Sequence, residues 1–200
     1  TFKNALDHVG HDSYTRKTKI IRTGWPMEYM KKTLEPFRGT PKRDLILFPH
    51  RIAPEKQPNI FDDLQQSMPE YEFIMCQMEQ LRKPEYHKML AEAKIVFSAN
   101  LQETLGISAY EGAIVDTFPL VPDRLSYTEM YPDEFKYPSE WTESWDSYLK
   151  HKDKLIEHIR FIMQGPTEQS LKQLQALTKS LTDNFFSANK MIEVIKSYGK

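Results

Sequence analysis

Residues Asp44-Leu45-Ile46-Leu47-Phe48-Pro49-His50-Arg51-Ile52-Ala53-Pro54-Glu55-Lys56 decide how this chain folds. Four consecutive apolar residues, 45–48, without polar alternation predict a strand covered on both faces. Pro58 then suits the first turn of a helix, and Ile60, Phe61, Leu64 and Met68 follow at helical spacing. The alternation repeats downstream. It predicts a strand at 71–75, a helix at 84–93 with Tyr86, Met89, Leu90 and Ala93 on one face, a strand at 95–97, a helix at 106–115 and a short strand at 118–121. Strand and helix alternating through four cycles predict an α/β fold, a Rossmann-like parallel sheet flanked by helices.

The flanks differ from this core. Downstream, Tyr148, Leu155, Ile159 and Ile162 make one stripe, Gly165-Pro166 breaks it, and Thr167 can cap a helix carrying Leu171, Leu174, Thr178 and Leu181. A last helix is expected from about Ser187, with Met191, Ile192, Ile195 and Tyr198. Upstream, residues 1–43 show no long periodic pattern. Lys19-Ile20-Ile21-Arg22 suits a short strand, and Thr23-Gly24-Trp25-Pro26 is turn chemistry. Nine basic residues against two acidic ones, Glu28 and Glu35, fall between Arg16 and Arg43. That stretch suits an interdomain surface or solvated loop, or contact with a polyanion such as tRNA or DNA.

Composition narrows the class. The chain has 200 residues, 40% hydrophobic and 28% charged, with a net charge of −1. These values exclude a disordered or collagen-like chain. No run approaches the ~20 apolar residues of a membrane span. The single cysteine, Cys76, excludes an intramolecular disulfide and a multi-cysteine zinc site. It fits a reducing, cytoplasmic compartment. The first residue is Thr1 and no signal-peptide pattern follows, so the chain is expected to be part of something longer.

Open parallel sheets bind ligands beyond the carboxyl ends of their strands. After the first strand, Arg51 and Lys56 are separated by four residues. An Arg grips phosphate oxygens in pairs and a Lys adds a point charge, so the two suit a diphosphate; a solvated loop is the plain alternative. After the third strand, Glu103 and Glu111 are separated by seven residues, and Gly106 stands where the helix begins. Carboxylates accept from the vicinal hydroxyls of a ribose or hexose; ordinary surface glutamates are the alternative.

Together, Arg-x4-Lys and Glu-x7-Glu on these loops resemble the retaining GT-B glycosyltransferases of the glycogen-synthase-like group. Glu103-Thr104-Leu105-Gly106 is similar to that family's Glu-x-Phe-Gly, and Tyr110-Glu111-Gly112-Ala113 through Pro119-Leu120-Val121-Pro122 to its helix, turn and proline-led strand. Pro49-His50-Arg51 and the run from Pro119 to Pro132 are loosely similar to the tRNA-queuosine mannosyltransferase-like branch. The resemblance implies the carboxy-terminal, nucleotide-sugar-binding half of such an enzyme. Residues 44–200 would be the donor domain with a helical tail. Residues 1–43 would be the linker and the end of a missing N-terminal domain. It implies that Arg51 and Lys56 bind the donor diphosphate and offset its charge as it leaves. Glu103 would contact the sugar hydroxyls, the backbone of Leu105, Gly106 and Ile107 would lie near sugar and phosphate, and Glu111 would hold the ribose. No metal or cofactor is implied beyond the nucleoside diphosphate sugar itself, and the acceptor suggested is a modified nucleobase in tRNA or DNA. The final helix would cross to the first domain. One departure is visible: the strand–helix unit that the family has after its second strand is missing at residues 75–84, which bears on the base pocket.

Other candidates carry less. His8, His11 and Asp12 are close in sequence, but a metal site is not expected of them. Trp141 and Trp145 suit packing of the tail helices or an aromatic platform. Two rival functions stand beside the transferase: a non-catalytic nucleotide-binding module of the same fold, and half of a sugar-nucleotide epimerase.

Overall fold

The computed structural model describes residues 24–198. The chain divides into two compact units. Among the described residues, one is 29–179; the other joins 24–28 with 180–198.

The larger unit is built on five parallel strands: β1 (Leu45–Phe48), β2 (Glu72–Met75), β3 (Ile95–Phe97), β4 (Phe118–Pro122) and β5 (Lys136–Tyr137). Their order is β2-β1-β3-β4-β5. Leu47 lies opposite both Ile74 and Val96, Phe97 opposite Leu120, and Val121 opposite Lys136. All of β1 and β3 is buried, as unbroken apolar runs require. The helices are α1 (Glu28–Leu34), α2 (Pro58–Ser67), α3 (Lys83–Glu92), α4 (Ile107–Ile114), α5 (Tyr127–Met130), α6 (Trp145–Met163), α7 (Glu168–Asn184) and α8 (Asn189–Tyr198).

Two layers cover the sheet. On one face Ile60, Phe61 and Leu64 of α2 and Tyr148, Leu155 and Ile159 of α6 share a core with Ile46, Phe48, Phe73 and Phe97. The rings of Phe48, Phe73 and Phe97 all lie 5.1–6.1 Å from that of Phe61. Elsewhere α4 lies close against β3, because Gly112 leaves room: a Cβ there would come within 2.8 Å of Val96 Cγ2. From β1 the chain crosses to β2, then returns past β1 to β3 on its other side. The loops after β1 and β3 therefore open next to each other at the topological switch point.

From residue 45 onward the expected strands and helices appear within a residue or two of their expected bounds. Thr167 caps α7 as expected, its Oγ1 accepting from Ser170 N–H at 3.1 Å. Helix α6, which carries the stripe from Tyr148 to Ile162, begins at Trp145, because Ser144 caps it with a bond from Ser147 N–H at 3.1 Å. Strand β5 was not expected. It is two residues long, and Lys136 on this edge pairs with Asp123 and Asp133 at 3.1 and 3.0 Å. Helix α1 was not expected either; its Met30 and Leu34 are buried. From the basic stretch, Arg38 pairs with Glu35 and Asp116, Arg43 with Glu72 and Glu92. Lys42 Nζ donates to the carbonyls of Ala91 and Val115 and to Thr117 Oγ1 at 2.7–2.8 Å. Lys42 thus ties the ends of α3 and α4 together, while Arg38 and Arg43 make exposed ion pairs. Trp141 stacks on Tyr137 within the core while Trp145 is exposed, so the two make no shared platform. The expected strand at 19–22 and the trio His8, His11 and Asp12 lie outside the described residues.

In the smaller unit, Trp25 N–H donates to the Phe185 carbonyl at 2.7 Å and Met27 N–H to that of Phe186 at 3.3 Å. Gly24 has φ +72°, and a Cβ there would meet the Ser187 carbonyl oxygen at 2.5 Å, so this turn admits only glycine. Helix α8 exposes Ile192, Ile195 and Tyr198 along one stripe.

Candidate functional site

The loop after β1 ends in a tight turn, Pro54–Lys56, and at Gln57, which is left-handed at φ +54°. That conformation buries the Gln57 side chain, whose Nε2 donates to the carbonyls of Ala99 and Thr142, each at 2.6 Å. Leu101 N–H donates to the Glu55 carbonyl at 2.8 Å, which laces the β1 and β3 loops together. Arg124 fixes the second loop from beneath. Its Nε reaches the Asn100 carbonyl at 2.8 Å, and its terminal nitrogens reach the carbonyls of Ala99, Ser139 and Thr142 at 2.9–3.2 Å. Tyr137 Oη adds a bond to the Ser98 carbonyl at 2.7 Å.

Lys56 and Glu103 meet on this scaffold. Lys56 Nζ donates to Glu103 Oε2 at 3.2 Å and to the Gln102 carbonyl at 2.6 Å. Glu103 Oε2 also accepts from Asn100 Nδ2 at 3.0 Å, and its Oε1 from the N–H groups of Thr104 and Gly106 at 3.0 and 3.1 Å. Burial pushes the Glu103 carboxyl up, but the Gly106 N–H and the Lys56 charge together outweigh it, and the group is held below its usual range. Gly106 caps α4 at φ +63°, and a Cβ there would come within 2.6 Å of Tyr127 Cε1. The Gly106 amide is thus directed at Glu103, while Leu105 is half-buried and Ile107 exposed at the head of α4.

Arg51 stands apart from that pair. Its side chain is 69% exposed and bonded to Glu55 on its own loop. Glu111 is buried and faces α3, where Oε2 accepts from Tyr86 Oη at 2.8 Å and Oε1 lies 3.5 Å from Lys83 Nζ and 4.0 Å from His87 Nε2. Burial and then the Glu111 charge raise the Tyr86 hydroxyl well above its usual range. The structure therefore brings Lys56 and Glu103 into direct contact, and gives Arg51 and Glu111 separate partners.

Several neighbours escaped the sequence reading. His50 is buried beside Phe48, with ring centroids 5.1 Å apart, and its Nδ1 lies 3.5 Å from Asn100 Nδ2. Burial, helped by the Lys56 charge, lowers it to about 4. Tyr127 is buried under Gly106, its hydroxyl 3.4 Å from Ser98 Oγ and raised by burial and by Glu103. Arg124 and Gln57 bond chiefly to backbone carbonyls, which any residue supplies, so no sequence pattern marks them. Cys76, at the end of β2, donates its N–H to the Phe48 carbonyl at 3.0 Å, and burial pushes its thiol up to about 12. Beside it, Gln77 Oε1 accepts from Ile52 N–H. Among the described residues no cluster of three or more His, Cys, Asp or Glu side chains could hold a metal ion, and no helix is long and apolar enough to cross a membrane.

This arrangement, a five-stranded parallel sheet with polar loops at its switch point, is a Rossmann-like fold that matches one half of a GT-B glycosyltransferase-like fold. It superposes on HepE of Anabaena, solved in complex with UDP, with a TM-score of 0.64 at 12% identity, over 98% of this chain and 61% of that one. In sequence the chain is 28% identical to the tRNA-queuosine alpha-mannosyltransferase of Drosophila melanogaster over 112 residues, which cover 52% of this chain and 30% of that protein. The chain thus spans less than two thirds of either protein. No family model matches it.

Proposed function

We propose that this chain is the donor-binding part of a retaining, nucleotide-sugar-dependent glycosyltransferase, moving a hexose-type sugar to an acceptor hydroxyl. One observation carries the reading: a cation from the β1 loop, Lys56, meets a carboxylate from the β3 loop, Glu103, at the switch point of a parallel sheet. A diphosphate needs the first and a sugar hydroxyl the second. Arg51 swings from Glu55 to the phosphates and, with Lys56, offsets the charge that grows as the diphosphate departs. Glu111, whose Oε1 has only distant partners, accepts from the ribose. The UDP in HepE supports a nucleoside diphosphate here, and the mannosyltransferase likeness supports a hexose and a modified nucleobase in tRNA as acceptor. In this reading residues 44–200 form the donor domain and residues 1–43 lead from an N-terminal domain that holds the acceptor. The enzyme works in the cytoplasm and needs no cofactor beyond its donor.

Calorimetry with UDP and uridine tests this. Arg51→Ala and Lys56→Ala should each weaken UDP binding by roughly 1.5–3 kcal/mol, the worth of a charge-assisted hydrogen bond, and leave uridine binding almost unchanged. Equal losses for both ligands would sink the phosphate assignment. A non-catalytic nucleotide-binding module is the second reading, favoured by the engagement of Arg51 with Glu55 and of Glu111 with α3. Such a module would bind UDP and UDP-sugars alike.

A further inference from the structure

Glu103 has no spare acceptor position. An ionised carboxylate offers about four lone-pair sites, and four donors meet it: the amides of Thr104 and Gly106 on Oε1, Asn100 Nδ2 and Lys56 Nζ on Oε2. A substrate hydroxyl can bond there only when one of them leaves. The two amides cannot, because the turn they belong to is fixed by left-handed Gly106 against Tyr127. Asn100 cannot either. It is wholly buried, and Arg124 Nε holds its carbonyl at 2.8 Å. Lys56 can: its amine sits on a flexible stem, makes the longest of the four bonds, and carries the charge a diphosphate attracts.

We propose that Asn100 is a positioning residue of the donor site, anchoring Glu103 Oε2 from the buried side so that Lys56 alone is exchanged for a sugar hydroxyl. This rests on the donor-site reading and deepens it. Diphosphate draws Lys56 off Glu103, and the vacated position accepts the sugar. The Asn100 amide is oriented for this by its own bonds: Nδ2 must donate to the carboxylate, so it is the nitrogen, not Oδ1, that faces Glu103. Without that anchor the carboxylate keeps only one fixed donor-bearing edge, and Oε2 follows Lys56 toward the phosphates.

The test reads the sugar increment, the ratio of affinities for a nucleoside diphosphate sugar and its free nucleoside diphosphate. UDP-glucose and UDP-galactose are measured against UDP, GDP-glucose and GDP-mannose against GDP, using the best-discriminated pair of the native chain. Asn100→Ala should lower the increment roughly tenfold while the free diphosphate binds much as before. Asn100→Asp adds a pH readout that a merely structural role would not move. At pH 8 two facing carboxylates repel and the increment should be lost. At pH 5.5 the pair should share a proton, since adjacent carboxylates cannot both ionise easily, and an O–H replaces the amide N–H. Discrimination should then return toward that of the native chain at the same pH. The other groups facing this pair are His50, Lys56, Tyr127 and Tyr131. His50 stays neutral down to about 4, and the two tyrosines are raised by burial, so none of these three titrates in that interval.

A native increment in Asn100→Ala, or no pH-dependent recovery in Asn100→Asp, overturns the proposal. Should Asn100→Ala fail to fold, Asn100→Asp at pH 5.5, isosteric and neutral, carries the test alone. A native chain that binds diphosphates but discriminates no sugar overturns this proposal and leaves the phosphate reading standing. A native chain that binds no diphosphate overturns both.

Discussion

His50 shows how much of this site depends on a side chain with no chemistry to announce it. It closes the back of the β1 loop, packed on Phe48 and buried beside Asn100. A free histidine takes up a proton near 6.5; this one resists until about 4, because burial and Lys56 disfavour its charge. Between those values the unfolded chain binds more protons than the folded one, so stability falls as pH drops through the interval. The loss should reach roughly 2–3 kcal/mol by pH 4. His50→Phe, which keeps a ring against Phe48, should flatten the fall between pH 6.5 and 4 in denaturant titrations. An unchanged slope would mean that the ring is solvated. Glu103, held below its usual range of about 4.5, adds its own loss as pH falls below that value. Lys56 and Glu103 were legible as candidates because charge stands out on loops that follow apolar strands; Arg51 and Glu111, singled out with them, have other partners in the structure. His50 and Asn100 were not, since nothing in a sequence says whether a polar residue is buried.

At the scale of elements, β1 to β4 were legible from unbroken apolar runs, whereas β5 has two residues, one of them a lysine. An edge strand that short is defined by its neighbour β4 and not by its own pattern. Helix α4 has the opposite character. Its sequence announces a helix, but its position depends on two glycines, one admitting β3 and one admitting Tyr127. Gly106→Ala combines a left-handed backbone with a contact at 2.6 Å, and should cost about 2–4 kcal/mol in thermal or chemical denaturation. Adding Tyr127→Ala should relieve the contact and not the backbone, so the double variant should lose less than the two single losses together. Strict additivity would show that the ring already moves aside. The Arg124 clamp was the least legible device, because its partners are mainly carbonyls drawn from the β3 loop and from residues 139–142.

For the whole molecule, the prediction concerns what the chain does alone. The larger unit holds its own core, its sheet and both loops at the switch point. Transfer, however, needs an acceptor hydroxyl held against the anomeric carbon, and such positioning can supply several kcal/mol of the barrier. If that wall belongs to an N-terminal domain, the 200-residue chain should bind nucleoside diphosphate and transfer nothing. Incubation with a panel of sugar nucleotides and with tRNA and DNA acceptors checks this; robust transfer would make the chain a complete, smaller enzyme.

Cys76 gives the molecule a property unrelated to catalysis. It is the only thiol in the sequence, it sits at the end of β2 with its amide on Phe48, and its neighbour Gln77 accepts from Ile52 N–H on the β1 loop. With the thiol pushed up to about 12, almost none of it is thiolate at neutral pH. A maleimide or disulfide dye should therefore react slowly with the folded chain and faster once the strand end lets go. Each molecule then takes one label, and the labelling rate becomes a clock for the opening of this lip of the crevice, readable without any substitution.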